Sequence, residues 1–242
     1  MQYIINKKDS KLRENSLESF DYMEQQKEST LQRQSDRECG STILAEGIRM
    51  IHIIGQIEGH TLLPPQTKTT KYEHIIPLLA EQEQDDRVSG ILMILNTVGG
   101  DVEAGLAIAE LVRSMKKPSV SLVLGGGHSI GVPLAVCSDY SFIVPTACMT
   151  VHPLRTSGLF ITSPQSFDYY MKMQERIICF ISANARISAK EVRQLMENKN
   201  QMADDIGTVL IGKQAVQAGI IDEVGGISEA LAKLKQLCSK KT

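Results

Sequence analysis

Ser129 stands inside Gly127-His128-Ser129-Ile130-Gly131, a Gly-x-Ser-x-Gly run placed where the apolar stretch Ser119–Leu124 breaks into glycines and a helical pattern begins. Small flanking residues let the backbone take a strained strand-turn-helix bend that leaves a hydroxyl exposed. A helix starting there aims amide hydrogens and partial positive charge at that hydroxyl, which suits an anion. This is a nucleophile position, although a phosphate-binding or purely structural glycine turn looks the same locally. His152 follows 23 residues later, at the end of the apolar run SFIVPTACMTV, and is the last of the five histidines. An imidazole at the mouth of a neighbouring strand can take the serine proton, and a lone surface or core histidine is the alternative.

An acid is needed to hold such an imidazole in one tautomer. The α/β-hydrolase order of Ser, acid, His is closed to this chain, because Asp139 is the one acid between Ser129 and His152 and comes too early for a strand and loop of its own. Asp205 and Asp204, in QMADDIGT, are candidates, each with a competing reading as a surface-loop acid. Gly99 and Gly100 in NTVGGD lack side chains, so their amides can approach a substrate carbonyl as an oxyanion hole requires; a tight turn into the next helix is the plainer reading.

The elements that must position these residues follow from periodicity. The runs IRMIHIIGQI, VSGILMILN, PSVSLVLGGG and SFIVPTACMTV alternate with turns or helical patterns, which predicts an α/β fold of parallel strands and crossover helices. Ala104, Ala107, Ile108, Leu111, Val112 and Met115 recur at helical spacing behind a capping Asp101, with Pro118 as the stop. Further helices are expected over residues 164–185, over 187–198 with Ser188 as cap, and from Gly226 to the C-terminus. Residues 60–76, with a Pro pair and a Thr/Lys run, read as a loop. Residues 1–42 are polar and charged and are expected to form a flexible N-terminal extension, with one domain over 43–238.

Composition narrows the function. A net charge of −2 lacks the basic footprint that nucleic-acid binding needs. Cys39, Cys137, Cys148, Cys179 and Cys238 are widely spaced without a CxxC pair, which predicts reduced thiols and neither disulfides nor a metal site. The N-terminus lacks the apolar core of a secretory signal and no run approaches a membrane span, so a soluble cytoplasmic protein without a cofactor is expected. No Walker motif is present, so ATP-driven unfolding would need another protein.

Together, NTVGGDVEAGLAI, LGGGHSIGVPLA, VPTACMTVHP and GKQAVQAGIIDEVGG resemble, in order and spacing, the proteolytic subunit of Clp protease, over about residues 48–235. The blocks look most similar to the translocation-enhancing branch of that family, Clp-like serine peptidases of Gram-positive bacteria. The resemblance implies a ClpP/crotonase-type spiral of ββα units with a strand-helix handle from Thr156 to about Ala185. It implies Ser129 as nucleophile, His152 as base and oxyanion amides at Gly100 and Ile130. The branch keeps an Asp before Ile-Gly-Thr, which favours Asp205 over Asp204 as the third member. An extended peptide or unfolded protein is the expected substrate, lying beside Gly99, Gly126 and Gly127, and the expected assembly is a homo-oligomeric ring. Two features depart from the family: Pro-Leu follows His152 where the family has Gln-Pro, and the N-terminal 42 residues do not resemble its axial loops, which leaves docking to an ATPase unfoldase open. A non-catalytic ring scaffold or translocation-assisting interaction protein is the competing reading, and a crotonase-type acyl-CoA enzyme, which needs neither Ser129 nor His152, is a further one.

Overall fold

The computed structural model describes residues 40–156, 163–198 and 206–241, and residues from Ile43 onward form a compact unit. After a short strand β1 (Ser41–Ile43), the long strands β2 (Ile48–Glu58), β4 (Gly90–Gly100) and β5 (Ser119–Gly127) lie parallel at the centre, followed by β6 (Tyr140–Ile143) and β9 (Glu223–Val224) in the order β2-β4-β5-β6-β9. β3 (Thr69–Lys71) pairs parallel with the end of β2. β7 (Cys148–Val151) joins the end of β5 at Gly126 and pairs antiparallel with β8 (Thr208–Ile211).

The central strands read as unbroken apolar runs because both faces are covered. On one face Ile51, Ile53, Met93, Leu95 and Val123 pack under helices α1 (Tyr72–Gln84), α2 (Val102–Ser114) and α3 (Gly131–Val136). On the other, Leu92, Ile94, Val120 and Leu122 pack against Ala230 and Leu234 of the C-terminal α7 (Ile227–Lys241), the amphipathic helix expected there. Asp101 caps α2 by accepting from the Ala104 amide at 2.9 Å. That helix ends before Pro118: Met115 is already extended, and Glu83 takes the Lys116 and Lys117 amides at 3.0 and 3.3 Å.

α4 (Pro164–Asn184) starts at a capping Ser163 with Pro164 behind it and buries Ile177, Ile178, Phe180 and Ile181, while Phe167, Tyr169 and Met171 are exposed. Ser188 and Glu191 form a reciprocal capping box on α5 (Ala189–Met196). α6 (Lys213–Gln217) sits between β8 and β9. The mixed α/β architecture, with a central sheet and seven helices among the described residues, is the fold the resemblance implied. The strand part of the handle falls partly on 157–162, outside the described residues.

Two local expectations are corrected. The run SFIVPTACMTV is two strands, not one: Pro145 interrupts it, so β6 stays in the central sheet while β7 leaves to pair with β8. The segment 60–76 is not all loop, since β3 and the first turn of α1 lie within it; α1 tolerates Pro77 and buries Ile75, Leu78 and Leu79.

Candidate active site

β5 ends at Gly127 and the chain turns sharply. The His128 amide donates to the Thr97 carbonyl at 3.2 Å and the Ser129 amide to the Thr150 carbonyl at 2.9 Å, which ties the turn to β4 on one side and β7 on the other. Ser129 is left-handed, at φ 57°, a conformation non-glycine residues avoid. Its carbonyl accepts from Val132 at 3.0 Å as α3 begins. The Ile130 amide precedes the first intrahelical donor, and its side chain is buried against Gly105.

β4 supplies the facing wall. A Cβ on Gly99 would lie 2.7 Å from the Ser129 Cβ, so only glycine lets the two backbones meet. Gly100 abuts the Ile57 backbone equally closely. The Asp101 amide donates to the Ile57 carbonyl at 2.9 Å, which ties the end of β4 to β2. Thr97, 1% exposed, braces this strand end. The register with β2 shifts between Gly55 and Gln56, and the Thr97 hydroxyl fills the gap by donating to the Gly55 carbonyl at 2.7 Å while accepting from the Gly99 amide at 3.0 Å.

His152 follows the last residue of β7. Its Nδ1 lies 2.6 Å from the Pro153 carbonyl. A carbonyl can only accept, so Nδ1 carries a proton, and in the neutral ring Nε2 then keeps its lone pair. Gly207, at φ 146°, packs its Cα face against His152, where a Cβ would lie 2.9 Å from the His152 Cβ. Ser129 and His152 line one cleft of about 340 Å³ with Gly100 and Ile130. Val102, Val151, Leu154, Ile177, Ile181 and Met196 add apolar lining, and Gln56 and Arg155 polar lining. Among the described residues no hydrogen bond joins Ser129 Oγ to His152.

Asp204 and Asp205 lie outside the described residues; Ile206 and Gly207 are the first described residues after them. Gly126 and Gly127 are already paired, with Cys148 of β7 and Thr97 of β4 respectively. His128, beside the nucleophile candidate, bonds Thr150 Oγ1 through Nδ1 at 2.8 Å. Burial, and then the nearby His152, push its pKa below the ordinary histidine value. Sequence reasoning missed Thr97, and it missed Gln174, whose Oε1 accepts from the Leu154 amide at 3.0 Å. Gln174 sits in no recognisable motif, and Thr97, although inside NTVGGD, carries no signal of its own beside the glycine pair.

A spiral α/β fold whose Gly-x-Ser-x-Gly turn faces a paired-glycine strand is matched over residues 45–228 by the family model described as Clp protease, and the chain belongs to that family. Within it, the chain is 58% identical over 194 residues to the translocation-enhancing protein TepA of Halalkalibacterium halodurans, covering 80% of this chain and 76% of that one. It is 28% identical over 230 residues to a putative protease of Methanocaldococcus jannaschii, covering 80% and 71% of the two chains. The proteolytic subunit of an ATP-dependent Clp protease from Lactococcus lactis subsp. cremoris is 25% identical over 160 residues, 62% of this chain and 74% of that one.

Proposed function

We propose that the chain is a serine endopeptidase that cleaves extended peptides or unfolded protein through an acyl-enzyme. The observation that carries this is the strained, left-handed Ser129, held against Gly99 and sharing one cleft with a His152 whose Nε2 is free to accept a proton. Ser129 Oγ attacks the peptide carbonyl as Nε2 takes its proton. The Gly100 and Ile130 amides hold the oxyanion, the imidazolium protonates the leaving amine, and water repeats the cycle on the ester. Asp205, with Asp204 as alternative, is the candidate third member; because the Pro153 carbonyl takes the Nδ1 proton in this structure, the acid would have to displace that carbonyl to orient the imidazole. Assembly into a homo-oligomeric ring would screen the cleft from folded proteins.

One observation favours a second reading, a translocation-assisting protein without turnover, the role that the name of the H. halodurans relative describes. No Ser129–His152 hydrogen bond is formed among the described residues. Treating the assembled protein with a fluorophosphonate and reading intact mass separates the two. A single adduct, absent in Ser129→Ala, is expected of the peptidase. No adduct, with no cleavage of an unfolded casein substrate, would establish the second reading.

A further inference from the structure

The Pro153–Leu154 peptide has both ends engaged. Its carbonyl accepts from His152 Nδ1 at 2.6 Å, and its amide, on the other edge of the same plane, donates to Gln174 Oε1 at 3.0 Å. A trans peptide is rigid, so holding the N–H aims the C=O. Pro153 sharpens this: its ring fixes φ, which leaves ψ of Pro153 as the soft torsion that decides where the carbonyl points. Gln174 is itself well seated. It lies in the interior of α4, one turn before the buried Ile177 and Ile178 and two before Ile181, and the neighbouring Arg176 forks onto Glu103 of α2 at 2.5 and 3.0 Å.

We infer that Gln174 is a positioning residue: acting through the Pro153–Leu154 peptide, it sets the orientation and tautomer of His152. The chain of bonds runs from imidazole N–H to carbonyl and from amide N–H to Gln174, and each bond polarises the next. A neutral acceptor at its far end holds the proton on Nδ1 without placing a charge beside the ring. With the acceptor gone, the Leu154 amide must turn to water, the carbonyl swings with it, and the ring is free to carry its proton on Nε2. In that form it cannot accept a proton from Ser129. The catalytic consequence rests on the peptidase reading; the tautomer does not.

The test is long-range ¹H–¹⁵N NMR of full-length protein labelled with ¹⁵N-histidine, at about pH 8 where unperturbed imidazoles are neutral. His152 is assigned by the signal lost in His152→Gln. The wild type should show a protonated Nδ1 and a bare Nε2, Gln174→Leu should lose that pattern, and Gln174→Glu, which keeps an acceptor oxygen, should restore it. A wild-type His152 protonated on Nε2 overturns the inference without any variant, and so does a Gln174→Leu protein with the wild-type tautomer. Fluorophosphonate labelling of the same samples should slow by at least about tenfold in Gln174→Leu and recover in Gln174→Glu, since general-base catalysis is worth that much or more. Tautomers that behave as described, with no form of the protein labelled, would uphold the inference and overturn the peptidase reading.

Discussion

At the scale of single residues the site is built by side chains that are missing as much as by those present. Gly99 has no Cβ because the Ser129 Cβ stands where one would go, and Ser129 keeps its own in a left-handed conformation that costs a non-glycine residue of order 1 kcal/mol. Replacing it separates strain from chemistry. Ser129→Ala keeps the Cβ and the strain, whereas Ser129→Gly releases both, so the glycine variant should be the more stable by about 1 kcal/mol in urea unfolding. Equal midpoints would mean that the turn is not strained in solution. Ser129, Gly99 and Gly100 stand out as candidates in the sequence because glycine pairs and a Gly-x-Ser-x-Gly run announce themselves locally, and His152 because it is the last histidine, at the end of an apolar run. Thr97 does not. Its role arises from a register shift between β2 and β4, which no residue of NTVGGD reveals by itself.

At the scale of elements, α4 fastens two walls of the cleft: Gln174 holds the loop after His152, and Arg176 holds the first turn of α2 behind Gly99 and Gly100. The Arg176–Glu103 pair is about half exposed, so Arg176→Ala should cost no more than about 1 kcal/mol near neutral pH. Its pH dependence has a definite sign. The Arg176 hydrogen bonds hold the Glu103 carboxyl below its ordinary value of 4.5, so the pair stabilises the fold above that value and the benefit is lost as the pH falls through the depressed one. The stability gap between wild type and Arg176→Ala, read from thermal melts, should therefore close on acidification; a gap independent of pH would assign the loss to packing of the arginine stem. The sequence predicted α4 from its polar and apolar pattern and α5 with Ser188 as its cap. It did not separate β6 from β7, because Pro145 sits in a run whose apolar pattern continues across it, and it hid the start of α1 behind a Pro pair and a Thr/Lys run that look like loop.

At the scale of the whole molecule, the two-sided core predicts which thiols answer to a reagent. Cys137 is fully buried and its thiol is pushed up to about 12 by that burial, while Cys179 is exposed on α4. Iodoacetamide should alkylate Cys179 in the folded protein and reach Cys137 only as urea unfolds the chain, as peptide mass mapping would reveal. Early alkylation of Cys137 would mean that the core opens locally. The pairing of β7 with β8 has a consequence in time. The strand before His152 finds its antiparallel partner at Thr208–Ile211, and the second face of the sheet is closed by Ile227–Lys241. A nascent chain leaving the ribosome exposes Ser129 and His152 well before the segments that seat them, so the youngest copies of this protein carry both groups and no finished site.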